Sequence, residues 1–359
     1  MLFLVVSFFL SGFDSLNVAF IGNWPFAPSF SVALDARRNV AFMGSGGGIY
    51  LLDVSDPSSM VLLSTIHTRG VARELLYDPG LQILYVADEK GGVEIWSIYE
   101  VSFPKKLATF HTSGEPQAIC LSNSVLYIAD GESGICMADV NNPSEPVGMG
   151  SLDLPGFAQD VDVQDTLAFV ACRGWGIYII NVKNPDSLYV MGSYTGIYST
   201  TGIDVEDSLL YVTDEYDGLI ILDISNASAP ALVGSCSTLG YAMEVKVIDT
   251  LAFVADYNMG VSVIKVKNPQ NPLLIGYYDT PSYAFKLTVK DTLVYVASGG
   301  AGLRIINFSN ITSPAELGFY DATGYPQDVF VSANHAYLAE RGAGVWIVDV
   351  SMPEKAYLV

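Results

Sequence analysis

The sequence predicts an all-β protein, and within that class a β-propeller of eight four-stranded blades of about 42 residues each. Three observations lead to this prediction. A glycine followed by a short apolar run recurs eight times along the chain, each repeat divides into four strand-like runs, and the third run is apolar on both faces. The alternatives are a seven-bladed ring with an extra unit and an open β-solenoid.

The repeat is marked by the glycine that opens each glycine–apolar–x–apolar–apolar segment. The first interval between these glycines is 44 residues and the following intervals are 42 residues. The longer interval contains "YDPGLQ" (77–82), a wider turn than its counterpart "LSNS" (121–124). No linker separates the units, so we expect residues 17–359 to form one domain of eight repeats. The glycines are Gly48, Gly92, Gly134, Gly176, Gly218, Gly260, Gly302 and Gly344.

The four runs of a repeat have the composition of strands. In the fourth unit they are "AQDVDV" (158–163), "LAFVA" (167–171), "GIYIINV" (176–182) and "LYVMGSY" (188–194). Such runs, rich in Val, Ile, Tyr and Phe and bounded by Gly, Pro, Asn and Asp, are typical of a β-meander. No stretch shows a useful 3.6-residue periodicity, so we expect almost no helix.

The third run indicates how the units pack. Its positions alternate between the two faces of the sheet, yet neighbouring positions such as Ile179 and Ile180 are both apolar. A sheet buried on both faces must lie between copies of itself, and a ring of such sheets is a propeller. An open solenoid is disfavoured because its coils are usually shorter and end in caps, which the sequence does not show.

Both ends of the chain carry segments that bear on location and ring closure. The apolar run "MLFLVVSFFLSG" resembles the core of a secretory signal, and we interpret residues 1–16 as a signal peptide of a secreted, periplasmic or cell-surface protein. It lacks a preceding Lys or Arg and a clear cleavage motif, so a buried N-terminal strand is the alternative. No other run is long and apolar enough for a membrane helix. Two segments match the fourth strand that would complete the last blade, "NVAFIGNW" (17–24) and "EKAYLV" (354–359), and the sequence does not decide between them.

The charge balance limits the classes of partner. Acidic side chains number 38 against 17 lysines and arginines, which gives a net charge of −21. Binding to nucleic acid or to anionic lipid needs a basic face, so we expect neither as a partner. A surface of one sign keeps a β-rich protein soluble, and we expect a monomer. The four cysteines form no C-x-x-C pair and are too few for a disulfide framework, although Cys120 and Cys136 share a repeat and either pair or remain free thiols.

Several units resemble a known repeat family. The segments "LYVADEKGGVEIWSI", "LYIADGESGICMADV" and "LLYVTDEYDGLIILDIS", the last followed by "APALVGS", are similar to the LVIVD repeat. The resemblance extends over residues 17–359 and implies propeller blades and a secreted or cell-surface bacterial or archaeal protein. It assigns no catalytic residues. Units two and seven depart from the pattern in one turn, where "SIYEVSFP" and "NFSNITSP" replace the usual "DVSNP".

No common catalytic signature is present, since G-x-S-x-G, G-x-x-x-x-G-K-S/T and H-E-x-x-H are all absent. An acidic residue does recur four positions before the repeat glycine. An aspartate there accepts backbone N–H bonds within its own turn, and we favour this explanation of its recurrence. The alternative is a ring of carboxylates that holds calcium, a hard cation that needs several oxygen ligands. The acidic residues are Asp88, Asp130, Asp214, Asp256 and Glu340.

Two histidines occupy the same place in adjacent units. His67 and His111 are 44 residues apart, in the loop before the innermost strand. Two histidines near carboxylates can bind a metal or transfer protons, but two ligands alone are more typical of a scattered surface pair. Together with Asp130, Asp214 and Asp256 they are the weak metal candidates, and calcium is the one cofactor that the pattern raises.

The loops of one face are the best place to look for a ligand site. In a propeller, the loops between second and third strands and those before the first strands surround the channel mouth, and loops on a rigid scaffold often carry function. Trp175 breaks the repeat pattern and is the strongest single candidate. An aromatic residue also recurs just before the first strands, and we interpret it as blade-to-blade packing. The candidate contact residues are Trp175, Arg173, Tyr216, Tyr257 and Arg341, and the recurring aromatics are Phe157, Tyr198, Tyr241, Tyr283 and Tyr325.

These features predict a binding or scaffold module that recognises a protein or a carbohydrate through its channel-mouth loops. One alternative is a metal-assisted hydrolase or lyase with its site in the channel mouth. Another is a purely structural repeat region of a longer surface protein. An enzyme should show converging carboxylates or histidines with perturbed pKa values, whereas a binder should show exposed aromatic side chains.

Overall fold

The computed structural model describes residues 19–24, 29–45, 48–53, 55, 61–298, 301, 303–320, 325–332, 334–341 and 344–351. The predicted signal peptide 1–16 and the C-terminal segment 354–359 lie outside the described residues. Thirty-two strands form eight four-stranded antiparallel sheets. Within the described residues there is no α-helix, and one short 3₁₀ turn spans Pro185–Ser187. The prediction of an eight-bladed propeller is confirmed.

Each of blades 1 to 7 consists of four strands that are consecutive in the chain, whereas blade 8 includes the first strand of the protein. Blade 8 contains β1 (Ala19–Trp24) together with the last three strands. Blade 1 contains β2 (Ser29–Asp35), β3 (Val40–Ser45), β4 (Gly48–Asp53) and β5 (Val61–His67). Blade 2 contains β6 (Ala72–Asp78), β7 (Ile83–Asp88), β8 (Gly92–Ser97) and β9 (Lys105–Phe110). Blade 3 contains β10 (Ala118–Ser122), β11 (Val125–Ala129), β12 (Ile135–Asp139) and β13 (Val147–Leu152).

The remaining blades continue the same order. Blade 4 contains β14 (Phe157–Gln164), β15 (Leu167–Arg173), β16 (Gly176–Asn181) and β17 (Tyr189–Tyr194). Blade 5 contains β18 (Thr200–Glu206), β19 (Leu209–Asp214), β20 (Gly218–Asp223) and β21 (Ala231–Cys236). Blade 6 contains β22 (Glu244–Ile248), β23 (Leu251–Ala255), β24 (Val261–Lys265) and β25 (Leu273–Tyr278). Blade 7 contains β26 (Lys286–Lys290), β27 (Leu293–Ala297), β28 (Leu303–Asn307) and β29 (Ala315–Tyr320). Blade 8 is completed by β30 (Tyr325–Ser332), β31 (His335–Arg341) and β32 (Gly344–Asp349).

The repeat glycine has a conformational reason. At Gly176, φ is +90°, a region that L-residues with a side chain rarely adopt. A Cβ atom there would also overlap the carbonyl oxygen of Tyr194 on the neighbouring strand β17. The repeat glycines of blades 2 to 6 all have positive φ and lie this close to the neighbouring strand, which explains why glycine marks the start of the third strand so regularly.

The core is divided among the blade interfaces. Between blades 4 and 5, Phe169, Ile177 and Ile179 pack against Ile203 and Val212, and all of these side chains are buried. A corresponding cluster lies at each of the other interfaces, because both faces of every blade are apolar. The two-sided burial expected from the third run is thus what holds neighbouring blades together.

The ring is closed by the N-terminal strand. Strand β1 pairs antiparallel with β32, with Ala19 opposite Asp349 and Trp24 opposite Val345. A buried cluster also joins blade 1 to blade 8, where Ala41 and Met43 contact Tyr337. An open solenoid has no such interface between its first and last units, so this alternative is wrong.

Candidate functional site

The loops of the channel-mouth face are tied together in pairs by backbone hydrogen bonds. The N–H of Gly174, between β15 and β16, donates to the carbonyl of Tyr198 at 2.7 Å, just before β18. The N–H of Ala284, just before β26, donates to the carbonyl of Tyr257 at 2.7 Å. These bonds fix the second-to-third-strand loop of one blade against the loop that enters the next blade. Side chains from the two loop sets are therefore brought side by side around the mouth.

The recurring aspartates make a second connection, between the second-to-third-strand loop and the loop that enters the same blade. Asp214 is almost fully buried and accepts hydrogen bonds from the N–H groups of Ser199, Tyr216 and Asp217, at 2.7, 2.9 and 3.1 Å. Asp130 accepts from Gly114 at 2.8 Å, and Asp256 accepts from Leu239 at 2.9 Å. Each of these carboxylates bonds a neighbouring loop rather than facing its counterparts in other blades.

A continuous row of tyrosines lies on the mouth face across blades 5 to 7. The rings of Tyr216 and Tyr241 meet edge to face at 5.6 Å, and Tyr241 lies 6.2 Å from Tyr257. Tyr257 and Tyr283 are stacked at 4.3 Å with an interplanar angle of 6°. We call these four residues the mouth arc. Tyr216 is 68% exposed and Tyr241 and Tyr283 are each 42% exposed, so the row presents a large aromatic surface to solvent.

The position of Tyr257 requires an unusual backbone. Its φ is +34°, in the region that favours glycine, whereas the corresponding residue of blade 3 is Gly131 with a φ of +59°. Both residues form the same kind of bridge to the next blade, Gly131 to Ala158 and Tyr257 to Ala284. A bulky residue in this conformation carries a backbone cost that is compatible with a functional role. In blade 6 it places a ring against Tyr283 and Phe285.

Trp175 and Arg173 lie next to the mouth arc, in blade 4. Trp175 is 53% exposed and lies against Gly156, in the loop that precedes β14. The Arg173 guanidinium is 3.4 Å from the Glu215 carboxylate of blade 5, and both groups are partly exposed, so the pair contributes little to stability. Arg341 ends strand β31, and its side chain is outside the described part of the chain.

The aromatics before the first strands divide into two kinds. Phe157 contacts Gly131 of the preceding blade, as expected for packing between blades. Tyr198, Tyr241 and Tyr283 are instead exposed, with Tyr198 at 71%. Tyr241 and Tyr283 nevertheless contact Tyr216 and Tyr257 of the preceding blades, so these two rings both pack between blades and remain partly open to solvent. The side chain of Tyr325 is not among the described ones.

The histidine candidates do not converge with other ligands. His67 and His111 are exposed at the ends of the fourth strands of blades 1 and 2, β5 and β9. Across the described residues, no three His, Cys, Asp or Glu side chains are arranged to hold a metal ion.

The four cysteines are free, with Cys136 and Cys172 buried. In the described part of the chain we also find no helical segment with the length and apolar character needed to span a bilayer.

A charged channel lies below the mouth arc, and its residues were not predicted from the sequence. Alternate residues of the innermost strands face the channel, on either side of a buried aliphatic such as Val161 or Val245. Glu74 of blade 2 and Lys286 of blade 7 interact electrostatically across the ring. We call the acidic members the channel carboxylates, and two lysines, Lys246 and Lys286, accompany them. The channel carboxylates are Glu74, Asp160, Asp162, Asp204, Glu244 and Asp328.

The channel carboxylates satisfy the free edges of the blades. The innermost strand of a blade has no strand partner on its channel side, so its N–H groups need other acceptors. Glu74 accepts from the Ile119 N–H of blade 3 at 2.7 Å, and Glu244 accepts from the Leu287 N–H of blade 7 at 2.8 Å. Asp204 accepts from the Val247 N–H of blade 6 at 2.7 Å. These groups therefore have a structural function that links successive blades.

The enclosed channel shifts the ionisation of these groups. Burial raises the pKa of Glu74 from its ordinary 4.5 to about 7, although Lys286 and the Ile119 N–H favour the charged form. Burial likewise raises the pKa values of Asp160, Asp204 and Glu244. The pKa of Lys286 is raised, first by the nearby Asp328 carboxylate, so this lysine is charged at neutral pH. The channel thus contains carboxyl groups whose protonated form is favoured by burial, together with the charged Lys286.

Substitution Glu74→Gln should stabilise the protein at pH 8 but have little effect near pH 4.5. The raised pKa means that the folded state prefers the protonated carboxyl, so the wild type loses stability as pH rises from about 4.5 towards 7. Glutamine keeps an acceptor for the Ile119 N–H without the charge. Denaturant unfolding at both pH values checks this, with Glu132→Gln on an exposed loop as the control. An equal change at both pH values, or the same gain in the control, would contradict the shifted pKa.

Comparison with known families and structures agrees with this geometry. The profile of the LVIVD repeat matches residues 38–68, 113–153, 155–196, 199–238, 239–280, 281–322 and 323–359. Residues 69–112 fall between the matched segments and contain the longer turn and the divergent "SIYEVSFP" of blade 2. None of the curated proteins matches the sequence.

Solved structures with the same architecture have very different sequences. Sqt1 from Saccharomyces cerevisiae superposes with a TM-score of 0.81 at 9% identity, over 94% of this chain and 100% of that one. The computationally designed Ika8 protein gives 0.76 at 10% identity, over 93% and 99% of the two chains. Sqt1 from Chaetomium thermophilum, bound to the N-terminus of the ribosomal protein L10, gives 0.74 at 12% identity, over 92% and 99%. At these identities the likeness concerns the fold.

Proposed function

We propose that this chain, which belongs to the LVIVD repeat family, is a binding module of the cell surface or the secreted space and recognises a protein partner through its mouth face. The observation that carries this proposal is the mouth arc. Four tyrosines contact one another in a row, and three of them, Tyr216, Tyr241 and Tyr283, are exposed, although their loops are fixed by buried aspartates and paired backbone bonds.

The chemistry of the mouth arc suits protein recognition. Tyrosine and tryptophan are enriched where proteins bind one another, because each offers a large contact area and a polar tip at a small cost in conformational entropy. Single exposed hydrophobic residues are normal on a protein surface, whereas a cluster of exposed aromatic side chains is typical of an interaction site. The arc is pre-organised, since its rings already contact one another, and this reduces the entropy lost on binding.

The structural neighbours offer an analogy at the level of the fold. Sqt1 from Chaetomium thermophilum is bound to the N-terminus of a ribosomal protein. We extend only the general idea to this chain, namely that an eight-bladed ring can hold a segment of another polypeptide. The partner itself is not carried over, because fold alone does not determine function.

A second candidate is a metal-assisted hydrolase or lyase in the channel, and one observation favours it. Four of the channel carboxylates, Glu74, Asp160, Asp204 and Glu244, have pKa values raised by burial, and Glu74, at about 7, lies in the range of a general acid or base. We favour the binding module because these carboxylates are already used as acceptors for neighbouring blades. Thermal melting with calcium and other divalent ions, with and without chelator, tests the alternative. A rise that is lost in Asp162→Asn/Asp204→Asn would support metal binding in the channel.

Selection from a phage-displayed library of random peptides tests the proposed function. We expect enriched peptides whose binding is lost in the triple variant Tyr216→Ser/Tyr241→Ser/Tyr283→Ser. The matched control is Tyr99→Ser/Phe103→Ser, which removes two highly exposed rings from the opposite face. Enriched peptides that bind the triple variant as well as the wild type would contradict recognition by the mouth arc. A selection without enrichment would favour the purely structural role.

A further inference from the structure

We infer that the partner segment is an extended, basic stretch of polypeptide that lies along the mouth arc with its cationic side chains towards the acidic channel opening. This inference rests on the proposed function and specifies its partner. It follows from the shape of the arc, from the charge of the loops that carry it, and from the charge of the channel beneath.

The shape of the arc favours an extended segment. The four rings form a row with successive centroid distances of 5.6, 6.2 and 4.3 Å, and they occupy the side of the mouth formed by blades 5 to 7. An extended chain rises about 3.3 Å per residue, so a stretch of about five residues would cover this row. A curved row on one side of the rim fits a strand-like ligand better than a compact one.

The loops that carry the arc are acidic and contain no cation. They span residues 195–199, 214–217, 237–243, 256–260 and 279–285, and among these there is no Lys, Arg or His. Their carboxylates belong to Asp214, Glu215, Asp217, Asp256 and Asp279. Asp217 and Asp279 are exposed, and Glu215 is partly exposed beside Arg173. Lysines and arginines of a partner would find the exposed carboxylates of Asp217 and Asp279 in these loops, while Arg173 of blade 4 already pairs with Glu215.

The other side of the rim differs in charge. The equivalent loops of blades 2 and 3 contain His67, Arg69, Lys90 and His111 among their acidic residues. The position of the recurring aromatic is held by Glu115 in blade 3 and by Val71 in blade 2. Exposed rings beside exposed carboxylates, as at Tyr216 and Asp217, thus occur in the arc loops and not in the described mouth loops of blades 2 and 3.

The channel extends the negative charge below the arc. Tyr241 and Tyr283 each precede a channel residue by three positions, Glu244 and Lys286, so the upper charged layer begins about 10 Å below the rim. Six channel carboxylates face two lysines, an excess of four negative charges when all are ionised, and protonation of Glu74 reduces this excess. An enclosed cleft with an excess of negative charge attracts ligands of the opposite sign.

Cations also interact favourably with the rings themselves. A guanidinium or ammonium over the face of a tyrosine is attracted by the ring quadrupole. Tyr216 is exposed over most of its surface and lies between Glu215 and Asp217 in the chain, so a cation there would meet a ring and two carboxylates. Aromatic and acidic groups at one place are complementary to arginine-rich and lysine-rich segments.

Three labelled peptides of equal length test the inference: one with Lys and Arg placed among Gly, Ser and Tyr, one with Gln and one with Glu at the charged positions. Fluorescence anisotropy should show that the basic peptide binds at least about tenfold more tightly than the Gln peptide, and that added salt weakens this binding. The Glu peptide should not bind. The variant Glu215→Gln/Asp217→Asn/Asp279→Asn should lose the advantage of the basic peptide but melt at the wild-type temperature.

The outcomes separate the inference from the proposed function. Equal binding of the Gln and basic peptides, abolished by the triple tyrosine variant, would overturn the basic character of the partner and leave the mouth-face site intact. Failure of all three peptides would also overturn the inference, while the phage selection would still decide the proposed function. Binding of a neutral oligosaccharide at the arc in place of the basic peptide would overturn both the inference and the protein partner.

Discussion

A chain that begins at residue 25 is expected to melt at a clearly lower temperature than one that begins at residue 17. The shorter chain lacks β1, which pairs with β32 at five positions and completes blade 8. Loss of this edge removes several backbone hydrogen bonds, each worth about 1 kcal/mol, so we expect a loss of about 3–5 kcal/mol. Differential scanning calorimetry of both chains measures the effect directly.

The controls for this truncation distinguish the two ends of the chain. A chain that ends at residue 351 should keep the melting temperature of the full chain, because β32 already has β1 and β31 as its two strand partners. A synthetic peptide of residues 17–24 should partly restore the shorter chain by adding a strand to the exposed edge. If the chains that begin at residues 17 and 25 melted together, closure by β1 would be refuted.

The substitution Asp214→Ala is expected to cost about 2–4 kcal/mol of unfolding free energy. The carboxylate accepts three backbone N–H bonds in a buried site, and alanine would leave these donors without an acceptor. The loop with Tyr216 would also lose its link to the loop before β18, so peptide binding should weaken. Urea unfolding and anisotropy measure the two effects on the same sample.

Two related variants isolate the cause. Asp214→Asn keeps an oxygen acceptor and should lose much less stability than Asp214→Ala. Asp223→Ala removes the same side chain from the opposite face, where it accepts one bond from Ser225 at 2.8 Å, and its effect should be small. A loss in Asp223→Ala as large as that in Asp214→Ala would show that the buried loop bonds are not what matters.

The repeat made the fold predictable from the sequence. Gly176 and its counterparts recur because a Cβ would overlap the next strand, and the paired apolar positions of the third strand recur because both faces of a blade are buried. Both constraints are local, so a single sequence displays them. The sequence showed that residues 17–24 match the pattern of a fourth strand, but residues 354–359 match it as well, and only the pairing of β1 with β32 assigns the closure to the N-terminal segment.

The candidate site was predictable only in pieces. Tyr216 and Tyr257 stand out as loop tips, and Tyr241 and Tyr283 as a recurring position, but their contact depends on loops of neighbouring blades that hydrogen bonds bring together. The channel is a stronger example. "DVDV" (160–163) and "EVKV" (244–247) show alternation, yet the interaction of Glu74 with Lys286 joins blades 2 and 7 across the ring. An interaction between residues so far apart in the sequence leaves no pattern in any single stretch of it.

Hydrogen–deuterium exchange of the protein with and without a selected peptide shows directly whether the partner binds at the mouth arc. Amides in residues 173–176, 197–199, 214–217, 238–242, 256–259 and 282–285 belong to the loops that carry or flank the arc. We expect the peptide to slow amide exchange in these loops. Slower exchange in the opposite-face loops, such as residues 141–146 and 225–229, with the mouth loops unchanged, would contradict it.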